Sequence, residues 1–466
     1  MLLLLQAAPL LLLVGLLVSG RATPVPAVLA ALAVLLPAVL LSLPAGTEAL
    51  PFLAEQTARG AYLAAMPIGV VTGGLLFHAA VTRDTQAAPA APEPRRIFVA
   101  TLLAGTFLES VTGFAVGAVF ALSSLRAMGL RGAPAGAMAL LALCLVPWGA
   151  LGPGTALAAA LTGIPAQTIA AMTALPNAAW ILVLGPVLWR LCAAAGVEVP
   201  PRERLVQAAT LLVMAALLVG LHAVLPFEAI GIVAPGLPLL ALLWRLDPPR
   251  GAEGWRRALA RLFPYLALTA ALLAGRGWSG APSWAPFAEL PALPITHVAV
   301  ILWIAAGILL LRRPDGAAAA RHALARAKRP AIAMLLYVIL ARWMAGSGIA
   351  ASLAEAVADG LGPAAPYAVP VLGLAAGVVT GSNVGSTSAL MAVQQALGEA
   401  SGMPGMLAPV LHNFAGSAGA GMSFAVTALV CGLLADGTKP AQVWRLLAPS
   451  FAAIVLIGWI CVAWLG

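Results

Sequence analysis

Charge is what this sequence has least of. Only 9% of its 466 residues are Asp, Glu, Lys or Arg, against about 25% in a soluble domain. Meanwhile 62% are hydrophobic, and the mean hydropathy is +1.01. That balance excludes a soluble globular chain and implies an all-α polytopic membrane protein, in which each spanning segment satisfies its own backbone hydrogen bonds. Cysteine is nearly as scarce. Cys144, Cys192, Cys431 and Cys461 all fall inside apolar runs without paired spacing, which argues against a disulfide framework and against a cysteine metal site. No Walker A loop, no GxGxxG after a strand, no HExxH and no CxxC occurs. With no soluble domain either, an ATP-driven pump carrying its own nucleotide domain is excluded, and no cofactor, metal or enzyme chemistry is expected. The charge that is present leans basic, with 25 Lys and Arg against 16 Asp and Glu. These residues sit in short loops between apolar runs, so they report topology rather than a nucleic-acid partner.

About 20 apolar residues cross a bilayer, and about 12 such runs are expected here. They fall at 2–20, 25–45, 60–81, 133–163, 176–195, 205–225, 228–245, 262–276, 294–311, 330–346, 405–435 and 444–465. The first 20 residues lack the basic start of a signal peptide and read as a first span. Two further stretches, 97–125 and 366–397, are polar at their centres, and each reads as a re-entrant hairpin. With both termini outside, nearly all of the 25 Lys and Arg become cytoplasmic; Arg59 and Arg276 lie outside and Arg342 within a span. Treating the hairpins as full crossings would move basic loops outward.

This layout makes two inverted repeats. The first half, 1–195, holds hairpin 97–125 and a broken helix at 133–163. The second, 294–466, holds hairpin 366–397 and a broken helix at 405–435, and linking spans fill 196–293. Each hairpin is followed by a loop with a proline, Pro134 or Pro404, and then by a break: LVPWGALGPG (145–154) and HNFAGSAGAG (412–421). Inverted repeats predict a central site where hairpin tips and broken helices meet. Residues 82–96 form a Pro/Ala-rich linker, and 312–329 an Arg/Ala-rich cytoplasmic segment that reads either as a surface helix attracted to anionic lipid or as a plain positive-inside loop.

The two hairpins carry the candidate site residues. TGSNVGSTSALM (380–391) places Ser382, Asn383, Ser386, Thr387 and Ser388 among glycines, and GTFLESVTGFAVGAVFAL (105–122) holds Glu109, Ser110 and Thr112. Polar groups at membrane depth are costly and mark a pathway, although Ser, Thr and Gly also let helices pack closely. Glu109 lies about a dozen residues, roughly 18 Å of helix, from the loop at Arg95 and Arg96. As the sole carboxylate placed at depth it reads as a proton-coupling group; the alternative is a structural acid bonded to neighbouring hydroxyls. His412 and Asn413 open the second break; His412 suits a proton relay or a structural hydrogen bond, and Asn413 joins the substrate-binding candidates. Arg342 either pairs with an anionic substrate or snorkels to the outer interface beside Trp343. Short half-helices add positive N-terminal ends that favour anions.

FLESVTGFAVGA (107–118) and VTGSNVGSTSA (379–389) resemble the FLEGxAGFGxP and LTGSDTSSNA elements of the bacterial L-lactate permease family. The order of flanking elements is similar across most of residues 97–435: Ser347 and Gly348, an amphipathic stretch at 349–362, the TGS motif, then the Asn- and Gly-rich break. The resemblance implies a secondary carrier of a 2-hydroxy-monocarboxylate such as lactate or glycolate, coupled to protons and placed in the bacterial inner membrane. A homodimer is compatible with it. The sequence departs from the family where Asn383 replaces the TGSD aspartate, where Gly117 replaces a proline, and where GMSFAVTA replaces an SPQS-like run. Competing readings are a carrier or exporter of another small organic anion, a channel, or an intramembrane enzyme pairing Ser382 or Ser386 with His412.

Overall fold

A computed structural model describes residues 2–466 apart from 20, 45, 82–90, 114, 247 and 279. Most of the expected linker therefore lies outside the described residues. The chain is helical nearly throughout. It opens with α1 (Leu2–Val18), α2 (Pro24–Ser42) and α3 (Ala49–Val81). The first polar-centred stretch follows as α4 (Pro94–Phe98), a π-helical turn (Val99–Gly105), α5 (Thr106–Thr112) and, past a break, α6 (Val116–Ala127). The first interrupted helix is α7 (Gly132–Leu140), short 3₁₀ turns to Leu151, and α8 (Pro153–Thr162). Then come α9 (Ala166–Ala194), α10 (Pro201–Gly220), α11 (Phe227–Leu246) and α12 (Gly251–Gly277). A two-stranded ribbon, β1 (Ser283–Trp284) with β2 (Leu293–Pro294), precedes α13 (Val298–Leu311), α14 (Gly316–Gly346) and α15 (Ile349–Leu361). The second polar-centred stretch is α16 (Ala365–Thr380) and α17 (Asn383–Ala400). The chain ends with α18 (Leu407–Gly421), α19 (Phe424–Leu434) and α20 (Pro440–Leu465).

Among the described residues, nine helical segments are long and apolar enough to cross a membrane, or ten if the bent pair Gly251–Ala260 and Leu262–Gly275 counts as one span. That is fewer than the expected 12. Helices α1 and α13 are apolar but shorter, and α13 loses residues 294–297 because Leu293 and Pro294 pair into the ribbon. From Gly316 on, the Arg/Ala-rich segment 312–329 is helix, the first of its two readings, and not loop. It forms the first turns of α14, because Ala and Arg are strong helix formers and nothing before Pro330 stops propagation.

The second break also differs from expectation. HNFAGSAGAG stays helical to Gly421, and the chain breaks at Met422–Ser423, where the Ser423 hydroxyl caps α19 by accepting from the Val426 amide. His412 and Asn413 therefore sit within α18 rather than opening a break. The small residues serve close packing instead: α18 runs against α16 so tightly that a side chain at Gly377 would collide with the Gly416 carbonyl.

Inter-helix hydrogen bonds sort the loops into two ends. Arg95 donates to Glu203 (2.7 Å), Arg126 to the Leu433 carbonyl (2.8 Å), Arg190 to the Leu446 carbonyl, and the Gly132 amide to Asp436 (2.8 Å). These residues, with the basic side chains Arg95, Arg126 and Arg190 among them, share one end. At the other end Arg59 pairs with Glu55 and Glu289, and the Tyr62 hydroxyl donates to the Trp284 and Pro291 carbonyls at the ribbon. Large side chains such as Leu205, Leu212 and Trp464 are left exposed on outer helices, as contact with lipid requires.

Candidate functional site

Both polar-centred stretches are pairs of helical arms that pack side by side. In the second, Gln394 of α17 donates to the Val369 carbonyl of α16 (3.1 Å), tying together positions equidistant from the turn. The tips are glycines in the left-handed region, Gly113 at φ +69° and Gly381 at φ +70°, a conformation that a Cβ disfavours. Past the first tip, the early amides of α6 have no intrahelical acceptor. Glu109 supplies one: its Oε1 accepts from the Ala115 amide (3.2 Å) and its Oε2 from the Gly117 amide (3.0 Å). Past the second tip the acceptor is the Ser382 hydroxyl, which caps α17 by accepting from the Gly385 amide (3.3 Å).

Strained backbone gathers in the same place. Four described residues other than glycine have positive φ, and three of them, Ala115, Ala150 and Leu151, lie at the first tip and the first break. Such conformations cost about 1–3 kcal/mol each and collect at functional sites. Around them is a cavity of about 820 Å³ that brings together both tips and both breaks. Its walls include Glu109 and Ala115, Gly149 and Pro153, Thr380 to Gly385, and Ala420 and Gly421. The first turn of α2 and one face of α14, from Arg329 to Tyr337, close it from the side.

A buried chain of polar groups runs behind this wall. Asn383 Nδ2 donates to Asn413 Oδ1 (3.1 Å), and Asn413 Nδ2 donates to the hydroxyls of Thr155 and Thr173 (3.1 Å each). Thr155 in turn donates to the Pro147 carbonyl at the first break (2.7 Å). The second hairpin, both interrupted helices and α9 are thereby linked through neutral groups.

The candidate residues separate into three groups. Glu109, Ser382 and Asn383 line the cavity, and Asn413 touches it through Asn383. Ser110, Thr112, Ser386 and Ser388 donate within their own helices, to the carbonyls of Thr106, Leu108, Asn383 and Val384, while Thr387 reaches Asn383 Oδ1 at 3.4 Å. Arg342 and His412 lie elsewhere. Arg342 donates to Gln56 (2.7 Å) at the end that holds Arg59 and Glu289. His412 is fully buried in α18, and neither ring nitrogen has a hydrogen-bond partner, the Ser386 carbonyl being the backbone group that faces it. No serine hydroxyl is hydrogen-bonded to a histidine ring among the described residues.

Sequence reasoning missed Thr155 and Thr173. Thr155 carried a signal, a hydroxyl directly after the Gly-Pro-Gly of a break. Thr173 sits in an unbroken apolar helix where nothing local sets it apart.

Helix content and hydropathy define an all-α polytopic membrane protein. Residues 289–463 match the family model described as L-lactate permease, a segment that holds the second hairpin and second interrupted helix but not the first. Among solved structures the chain is similar to the YdaH transporter of Alcanivorax borkumensis, described as having an unusual topology, with 18% identity, 87% of this chain and 85% of that one covered, and a TM-score of 0.43. It is also similar to MtrF of Neisseria gonorrhoeae, described within a class of antimetabolite efflux pumps, with 13% identity, 89% and 83% covered, and a TM-score of 0.42. A search of curated proteins returns no match.

Proposed function

We propose that the chain is a secondary active carrier of a small 2-hydroxy-monocarboxylate, lactate or glycolate, moved in symport with a proton across a bacterial inner membrane. The observation that carries this reading is the convergence of Glu109 and the N-terminus of α17 on one cavity. A helix N-terminus attracts a carboxylate, and a carboxylate lining the same space can take up and release a proton. The match of residues 289–463 to L-lactate permease supplies the substrate class. Ser382 and Asn383 are the binding residues on the second hairpin, with Asn413 positioning Asn383. Glu109 carries the coupling proton, and its protonation removes one of the two acceptors that hold the first tip.

Residues 1–195 and 294–466 act as inverted halves in this reading, with each hairpin re-entrant from its own side. The first hairpin starts at Arg95 and ends beside Arg126, both tied to the basic end, whereas Tyr367 at the start of the second accepts from Trp459 near the far end of α20. Both hairpins close with the same cap. The Leu130 amide donates to the Leu125 carbonyl and the Met403 amide to the Gly398 carbonyl, across left-handed Gly129 and Gly402. The basic end faces the cytoplasm and both termini face out. A cysteine placed at Lys328 should then react with an impermeant reagent only from the cytoplasmic side; labelling from outside would reverse the orientation.

The function is tested by uptake of radiolabelled L-lactate into proteoliposomes with and without an imposed pH gradient. Saturable uptake that follows the gradient is expected. Uptake indifferent to pH would remove the proton, and uptake of other small anions but of no 2-hydroxy acid would remove the substrate class.

A further inference from the structure

Two glycines flank Pro153 at the start of α8, and they are there for different reasons. Gly152 has φ +78°, in the left-handed region that a Cβ disfavours. Gly154 lies inside the helix without a positive φ, where alanine would be the better helix former by about 1 kcal/mol. The turn does not call for it. What calls for it is a neighbour from the other half of the chain. A Cβ on Gly154 would have as its three nearest atoms Nδ2, Cγ and Cβ of Asn383, all within 2.8 Å. Turning the carboxamide would relieve the first two contacts. It would not relieve the third, because a Cβ is fixed by its backbone, so a methyl at 154 forces the starts of α8 and α17 apart.

With no side chain there, the Asn383 carboxamide rests directly against α8. Its Nδ2 donates to Asn413 Oδ1 (3.1 Å), and Asn413 Nδ2 donates to Thr155, the next residue of α8 (3.1 Å). Gly154 and Asn383 both line the cavity. Two consecutive residues of α8 thus fix Asn383, one by hydrogen bonds relayed through Asn413 and the other by giving it room.

We propose that Gly154 is a positioning residue for substrate binding: its missing side chain seats the Asn383 carboxamide on the cavity wall, so that the first half of the chain sets the position of a binding residue in the second. This rests on the carrier reading. It also puts a determinant of binding outside residues 289–463, the segment that matches the permease family.

The test is a cycle of Gly154→Ala, Asn383→Gly and the double variant. Gly154→Ala should raise the KM for L-lactate in proteoliposomes about ten-fold, keep the maximal rate to within about two-fold, and lower the substrate-free melting temperature. Asn383→Gly removes all three atoms that the methyl would meet. In that background Gly154→Ala should change KM by less than about two-fold and hold or raise the melting temperature, because alanine then gains its helical preference without a collision. A melting temperature lowered in both backgrounds would overturn the proposal, by showing that the methyl acts elsewhere. An unchanged KM in Gly154→Ala would overturn it too, while leaving the carrier reading intact. If Gly154→Ala fails to fold, the double variant should fold again, and its failure to do so would overturn the proposal. If Asn383→Gly no longer transports, the melting temperatures decide. Where the wild type moves only pyruvate or acetate, the substrate class fails alone and KM is read on that anion. A wild type that moves none of L-lactate, glycolate, pyruvate or acetate overturns the carrier reading and the role in binding with it.

Discussion

At the first hairpin the turn at Gly113 is held by a carboxylate, with Glu109 accepting from the amides of Ala115 and Gly117. At the second, the turn at Gly381 is followed by a serine cap and a carboxamide, with Ser382 accepting from Gly385 and Asn383 donating to Asn413. Both tips place a glycine at positive φ, but Gly113 (ψ −164°) and Gly381 (ψ 16°) turn the chain differently, and the chemistry differs too. Hydrogen bonds to a carboxylate depend on its protonation, and those between hydroxyls and amides do not. Under the proposed function, pH sensitivity would lie with the first hairpin and pH-independent recognition with the second. The segment that matches the permease family contains only the second.

The largest expected effect is at Glu109. Glutamine keeps one acceptor oxygen for the two amides and turns a donor toward the other, and it cannot carry a proton. Glu109→Gln should abolish accumulation driven by a pH gradient while preserving lactate exchange to within a few-fold, measured as counterflow in proteoliposomes. Continued accumulation would make Glu109 a structural cap and dissolve the contrast between the hairpins.

A smaller effect should follow from making the second hairpin resemble the first. Asn383→Asp restores the acidic residue of the family pattern but sets its oxygen against Asn413 Oδ1, so one donor is lost from a buried network. Uptake at neutral pH should fall about ten-fold, in line with an unsatisfied buried acceptor, and recover as the medium is acidified and the carboxyl gains a proton. Full activity at every pH would show that Asn413 simply turns over. Thr387→Ala, on the same network, should cost only about two-fold, because its 3.4 Å contact to Asn383 is at the long limit of a hydrogen bond. A loss as large as that of Asn383→Asp would place Thr387 on the substrate.

Much of this was legible in the residues. Gly113 and Gly381 mark the tips because a left-handed turn inside an apolar run has few other occupants, and Glu109 stands out as a carboxylate far from any loop. The first break is legible in Pro147, Gly152 and Pro153. The second was placed too early. Glycine and alanine in HNFAGSAGAG are equally suited to a broken helix and to one that approaches another closely, and only the presence of α16 against Gly416 separates the two. The hydroxyl cluster divides for a related reason. Serine and threonine in helices can donate back to their own preceding turn, and Ser110, Thr112, Ser386 and Ser388 do so.

The sequence by itself determined that the chain is a polytopic membrane protein, that two of its stretches are polar at their centres, and that Glu109 is a carboxylate set within one of them. Each is a property of a residue and its near neighbours, set by hydrophobicity, turn chemistry and the rarity of charge. Tertiary structure decided which polar side chains face the cavity and which spend their hydrogen bonds on their own helices. It joined Asn383, Asn413, Thr155 and Thr173, drawn from four helices, into one network. Hydrogen-bond partners far apart in the chain meet only through packing, so no spacing along the sequence could encode them.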